Sequence, residues 1–166
     1  RDNGSRVVDV RQDSLTLNPT AGNAVDADNN VVADLSFAGS GDLVVQGILD
    51  LDNGQAPATY GDFLQTGTGV ARFTQSMMVD EVESNGGGTI WLDQPGGLPV
   101  SLPSTTSISL DNGSILRRDG SETVTGASLA LGAGGGGISV GTGSTLVWDA
   151  PITGTGAFTK TGDGTL

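Results

Sequence analysis

The sequence predicts an all-β chain of the parallel β-solenoid (β-helix) type, a single stack of coils wound by one strand of polypeptide. Three observations carry that expectation. Gly accounts for 28 of 166 residues, roughly 17% against an average near 7%. Apolar-polar-apolar triplets recur along the chain. From Val100 onward they return about every eight residues, an interval too short for helices between strands.

The glycine excess points to many tight turns, since Gly, Ser, Asn and Asp dominate turns while Val, Ile and Thr favour strands. With no Gly-X-Y period and only 6 Pro, a collagen helix is excluded. Charged residues make up 16%, which is not the profile of a disordered chain. Only 4% of residues are aromatic, so the core must be thin and built from Leu, Ile and Val.

The triplets begin with "LTL" at Leu15, "LSF" at Leu35, "LVV" at Leu43 and "LDL" at Leu49. They continue with "IWL" at Ile90, "VSL" at Val100, "ISL" at Ile108, "LAL" at Leu129, "ISV" at Ile138 and "LVW" at Leu146. Each is a period-two strand signal, and most are bounded by Gly, Asn, Asp or Pro. Sandwiches and barrels use longer strands and two-residue hairpins. A solenoid needs only one or two inward side chains per strand. Three strand-and-turn steps of about eight residues give about 24 residues per coil, hence roughly seven coils stacked about 4.8 Å apart over about 35 Å.

Residues 1–166 therefore read as one β-helical segment, and both ends read as cuts through a longer protein. The stretch from Gln55 to Thr106 is less regular and holds Tyr60, Phe63, Phe73, Met77, Met78 and Trp91. It is either an insertion carrying binding residues or a set of coils filled by larger side chains. "QSMMVDEVESN" is the one stretch with helical character.

The net charge is −12, with seven basic and nineteen acidic residues. Nucleic-acid binding needs a basic footprint, so it is excluded, and anionic membrane surfaces are disfavoured. No run of eighteen apolar residues crosses a bilayer as a helix, so this segment is not expected to insert. With no Cys there are no disulfides and no thiolate chemistry.

Several chemical motifs arise and fail on physical grounds. "GISVG" at Gly137–Gly141 would make Ser139 a nucleophile, but the chain has no His, and Lys160 is its one lysine. "GAGGGG" at Gly132–Gly137 leads into the strand-like "ISV" and not into the helix a dinucleotide site needs. "VDADNN" sets Asp26, Asp28 and Asn30 at alternate positions, yet Val31 stands where a Ca²⁺ loop needs Gly, and Phe37 where it needs a bidentate acid. Asp50 and Asp52 share one face of a strand with Leu49 and Leu51 on the other, as in an ordinary half-buried strand. Asp80, Glu81 and Glu83 are the nearest approach to a glycosidase acid pair. Away from the first dozen residues, Arg72, Arg117 and Arg118 are the arginines available to hold an acidic glycan. The "NGS" sequons at Asn3 and Asn112 read as turns. No catalytic, cofactor-binding or metal-ligating residue is assigned, and the chain is not expected to be an enzyme.

The stretch Leu129–Leu166 resembles the passenger-associated transport repeat of bacterial autotransporters, also called the autotransporter-associated β-strand repeat. A glycine-rich turn leads into "ISV", "STLVW", "ITGTGAFTK" and "TGDGTL". The last part is similar to the family's G-x-G-x-(Leu/Phe)-x-Lys-x-Gly-x-Gly-Thr-Leu core, on Gly154, Gly156, Phe158, Lys160, Gly162, Gly164, Thr165 and Leu166. The family's next strand and Asn-Thr-Tyr turn would lie beyond Leu166. The resemblance implies a right-handed parallel β-helix displayed outside a Gram-negative cell, as rod and secretion-promoting element without catalytic residues of its own. Ile152, Phe158 and Leu166 are expected to fill the interior column.

The function expected is a structural or adhesive stalk segment of a secreted or surface-anchored passenger. Its partner would be a glycan or protein receptor on a host or neighbouring cell, with self-association through coil ends as a further contact. A surface filament or phage tail fibre and a β-helical polysaccharide-degrading enzyme are the alternatives.

Overall fold

A computed structural model describes residues 6–18, 23–26, 34–51, 60–93 and 106–166, and shows a parallel β-solenoid. The first coil contains β1 (Arg6–Asp9), β2 (Ser14–Leu17) and β3 (Asn23–Asp26). The second repeats the pattern with β4 (Leu35–Ala38), β5 (Asp42–Val45) and β6 (Ile48–Asp50). The third has β7 (Phe63–Gln65), β8 (Val70–Phe73) and β9 (Met77–Met78), and the fourth has β10 (Glu81–Ser84) and β11 (Thr89–Leu92). Then follow β12 (Ser107–Leu110), β13 (Ser114–Arg118) and β14 (Glu122–Thr125), and next β15 (Ser128–Leu131), β16 (Gly136–Val140) and β17 (Leu146–Asp149). The last coil holds β18 (Ile152–Gly154) and β19 (Phe158–Thr161).

One strand of every coil joins a seven-stranded parallel sheet ordered β1-β4-β7-β10-β12-β15-β18. The next joins a second seven-stranded sheet running from β2 to β19. The third side is shorter, with β3-β6-β9 and β14-β17. Eight of the ten triplets read from the sequence lie wholly on strands, and "LDL" at Leu49 runs one residue past β6; "VSL" at Val100 lies outside the described residues. The stretch expected to have helical character is extended, because Met77 and Val79, and again Val82 and Ser84 on the next strand, turn inward at period two.

Along the first sheet, Arg6 through Leu35, Phe63, Val82, Ile108 and Leu129 to Ile152 form one ladder. Its six steps average about 24 residues per coil, yet one step spans 29 (Arg6 to Leu35) and another 19 (Phe63 to Val82). The corner between the first and second sheets takes only three or four residues in every coil. Beyond that single residue, the length variation therefore sits between the second sheet and the next coil's first sheet.

Parallel in-register pairing turns each inward position into a column. Leu43, Ala71, Ile90, Leu116 and Ile138 stack along the second sheet, each buried. Each Leu or Ile side chain so removed from water contributes about 1.5–3 kcal/mol. Volume is balanced within a coil: Phe63 and Phe73 meet edge to face at 4.9 Å, and the residue between them on β8 is only Ala71. Thus residues 60–93 of the 55–106 stretch continue the stack with larger interior side chains, and Thr106 is buried; 55–59 and 94–105 lie outside the described residues. Two polar side chains enter the column beside these rings. Gln65 Nε2 donates to Gly69 O at 2.6 Å, and Ser84 Oγ donates to Gln65 Oε1 at 3.2 Å, so neither amide end is left unpaired.

At the last rung, Ile152, Phe158 and Leu166 remain 41%, 39% and 41% exposed. Ile152 pairs with Leu129 and Phe158 with Gly136, while Thr165 bridges to Thr145 just before Leu166. They continue interior columns, as expected, but a strand rung covered on one side only leaves its side chains half open.

The glycine corner sets how closely coils approach. A Cβ on Gly67 would lie 1.9 Å from Gly39 O of the coil before, whereas one on Gly113 would meet nothing within 4 Å and would only strain a backbone at φ +77°. Gly113→Ala should cost about 1 kcal/mol, the price of a left-handed non-glycine residue. Gly67→Ala forces backbone apart and should cost at least about 3 kcal/mol. Urea midpoints followed by far-ultraviolet circular dichroism rank the two; equal losses would show that corner stacking does not limit the coil spacing.

Candidate functional site

The outer face of the second sheet carries a row in which large polar and aromatic side chains stack. Outward positions in register run Val44, Arg72, Trp91, Arg117, Ser139 and Thr161. Val44, Arg72, Trp91, Arg117 and Ser139 each stand between two buried neighbours, so strand alternation points them out, and Thr161 joins the row by its pairing with Ser139. The guanidinium carbons of Arg72 and Arg117 lie 4.4 and 3.9 Å from the Trp91 ring centre, one on each face. Each cation–π contact contributes about 0.5–1 kcal/mol at a solvent-facing site.

Both arginines are also paired with aspartates, Arg72 with one on the next coil and Arg117 with one on its own. Arg72 Nε donates to Asp93 Oδ2 at 2.8 Å, and Arg117 donates to both oxygens of Asp119, Nε at 3.1 Å and Nη2 at 2.8 Å. The row borders a shallow groove of about 430 Å³, flanked by Val70, Thr89, Ile115 and Asp42. Asp42 Oδ1 is fixed by the amide of Val70 at 3.0 Å. The arrangement offers charge-neutral donor–acceptor pairs, hydroxyls and apolar flanks along one line.

The residues singled out in the sequence are dispersed by the fold. Ser139 faces out between buried Ile138 and Val140, while Lys160 pairs with Ile138 and so continues the opposite, inward column. Its Nζ donates to the carbonyls of Gly162 (2.6 Å) and Gly164. Ser139 and Lys160 therefore cannot act together. Gly132–Gly135 form the corner before β16, which Gly136 and Gly137 begin, so no helix follows the glycine run. Asn112 sits at a corner with φ 54°, donating through Nδ2 to Asn85 O at 2.7 Å. Asn3, Asp28, Asn30, Val31 and Asp52 lie outside the described residues. Phe37 is fully buried, and Leu49 and Leu51 point inward with Asp50 between them. Among the described residues no cluster of three or more acidic side chains has metal-binding geometry.

Arg118, unlike its neighbour Arg117, faces the interior and is 4% exposed, too deep to touch a glycan. Its Nε and Nη2 donate to Glu122 at the next corner, and its Nη1 finds no partner. Asp80, Glu81 and Glu83 lie on the first sheet's outer side, away from Trp91. There Asp34, Asp62 and Glu81 occupy successive rungs, and Asp62 N donates to Asp34 Oδ1 at 3.1 Å. Burial and the carboxylate of Asp34 push the Asp62 carboxyl above its ordinary range; burial and Asp62 do the same to Glu81.

No protein-family model, curated protein or solved structure matches the chain.

Two stability experiments test these placements. Glu122→Ala strands a buried guanidinium and should cost about 3 kcal/mol, whereas Arg118→Met with Glu122→Leu should lie close to the parent; urea melts of the three proteins decide. For the acidic ladder, folded pKa values raised above the unfolded ones mean that the folded chain binds protons more readily, so these groups add stability as pH falls through their folded pKa and lose it as pH rises. Asp62→Asn should raise the unfolding free energy at pH 7, read from the urea midpoint, by a few tenths of a kcal/mol, as expected for relieving like charges on adjacent strands. The gain should vanish near pH 4; an equal gain at both pH values would count against the ladder.

Proposed function

We propose that the chain is a rod segment of a secreted or surface-anchored passenger of the autotransporter type, built to present binding surfaces away from the cell and to aid its own export. The observation that supports this reading is the uninterrupted run of two seven-stranded parallel sheets through all described coils. In such a stack every coil is finished by its neighbour, so folding can advance rung by rung from one end. A chain emerging through an outer membrane gains apolar burial and ladder hydrogen bonds with each new coil, which biases movement outward. The final rungs, β15 to β19, hold the stretch that resembles the transport repeat. There the Gly-Thr steps turn corners, and Ile152 and Phe158 sit in line with the interior columns of the rungs before them.

A net charge of −12 suits a surface-displayed rod, because like-charged faces and edges resist lateral association. The partner class that fits is a glycan or protein receptor on another surface. In intact cells producing the protein, protease added outside should remove the solenoid while leaving a cytoplasmic marker whole. Protection of the solenoid until the cells are lysed would overturn the proposal.

A further inference from the structure

The ladder on the second sheet carries an inference that does not depend on how the chain is exported. We infer that the groove along Arg72, Trp91, Arg117, Ser139 and Thr161 is a binding site for an extended neutral polysaccharide lying parallel to the stack axis.

The row repeats once per strand spacing, about 4.8 Å, which is close to the length of one sugar in an extended glycan. A polymer laid along the axis therefore meets an equivalent position at every residue. A ligand lying along the strands would meet that repeat only once. The chemistry of the row favours hydroxyl groups. Each guanidinium has five N–H donors and spends two on its own carboxylate. The arginine side chains are 37% and 42% exposed, their Asp93 and Asp119 partners only 19% and 22%, so the donors stand forward of the acids. Ser139 and Thr161 extend the row with hydroxyls that both donate and accept.

Charge selects among glycans. Each arginine is neutralised by its aspartate, and Asp42 adds a negative charge at the groove's edge. No net positive charge remains to hold a polyanion against a chain of charge −12. Both faces of the Trp91 ring are covered by guanidinium groups, so sugar recognition falls to the arginine donors and hydroxyls, with the flanking valines and Ile115 meeting sugar C–H surfaces.

The test is affinity electrophoresis of the purified chain in gels containing mixed-linkage β-glucan, galactomannan or dextran, with alginate and heparin as acidic comparators. Retardation by at least one neutral polymer is expected, unchanged between low and high salt. Calorimetry with oligosaccharides of that polymer should show affinity rising with length and levelling at about five sugars, one per rung of the row. Arg117→Gln and, independently, Ser139→Gln should each weaken binding at least about tenfold, while Asp149→Asn on the third side should leave it unchanged. The inference fails if no neutral polymer retards the chain, or if only the acidic polymers do and salt abolishes it. It fails equally if both groove variants keep a parent-like circular dichroism spectrum and full affinity.

Discussion

Each coil lies one strand spacing from the next, and the glycine corner between the two long sheets is what permits it. Coil carbonyls there reach so near to the following glycine that a methyl group at Gly67, Gly69 or Gly156 would sit 1.9 Å from an oxygen. With the corner fixed at three or four residues, the second sheet always starts in step with the first. Register in one sheet then dictates register in the other. Interior columns, exterior rows and the groove on the second sheet all follow from that single coupling.

In-register stacking places like beside like on every face, and the consequences differ by residue type. Inside, it makes continuous apolar columns, with Phe63 and Phe73 admitted because Ala71 is small. Outside, it stacks Asp34, Asp62 and Glu81 into a self-repelling line on the first sheet. On the second sheet it brings two arginines to the faces of Trp91 from positions 19 and 26 residues away in the chain. Alternating cation, ring and cation is the pattern that a stack of equivalent positions tolerates best, since arginines on adjacent rungs would repel.

Fold class was legible because it depends on local signals: glycine at corners, and apolar alternation in strands such as Leu43–Val45 and Ile138–Val140. Corner roles for Asn112 and the Gly132 run were legible for the same reason. The Arg72–Trp91–Arg117 row was not. Its members are the outward centres of the ordinary-looking triplets "ARF", "IWL" and "LRR", and nothing local shows that they align. Aligning them requires the coil lengths, which vary from 19 to 29 residues with no repeating motif to mark them. Arg118 illustrates the same gap: adjacent to Arg117 in sequence, it is turned inward by alternation and paired with Glu122. Helical character in "QSMMVDEVESN" misled because Met and Glu are good helix formers, and inward burial at period two overrode that preference.

Variation in coil length has a place in the architecture. From the second sheet to the next first-sheet strand the chain takes 17 residues after Leu17 (to Leu35) but only 7 after Phe73 (to Glu81). The third side therefore absorbs insertions while the corner and both long sheets stay in register. A rod of this design can vary one flank without disturbing the columns that hold it together. Its second-sheet face is the opposite case. Held between the fixed corner and the long ladder, its side chains keep a constant spacing from coil to coil, as those of the first sheet do. A ligand with a regular repeat needs that constancy, and an irregular one would be served by the variable side.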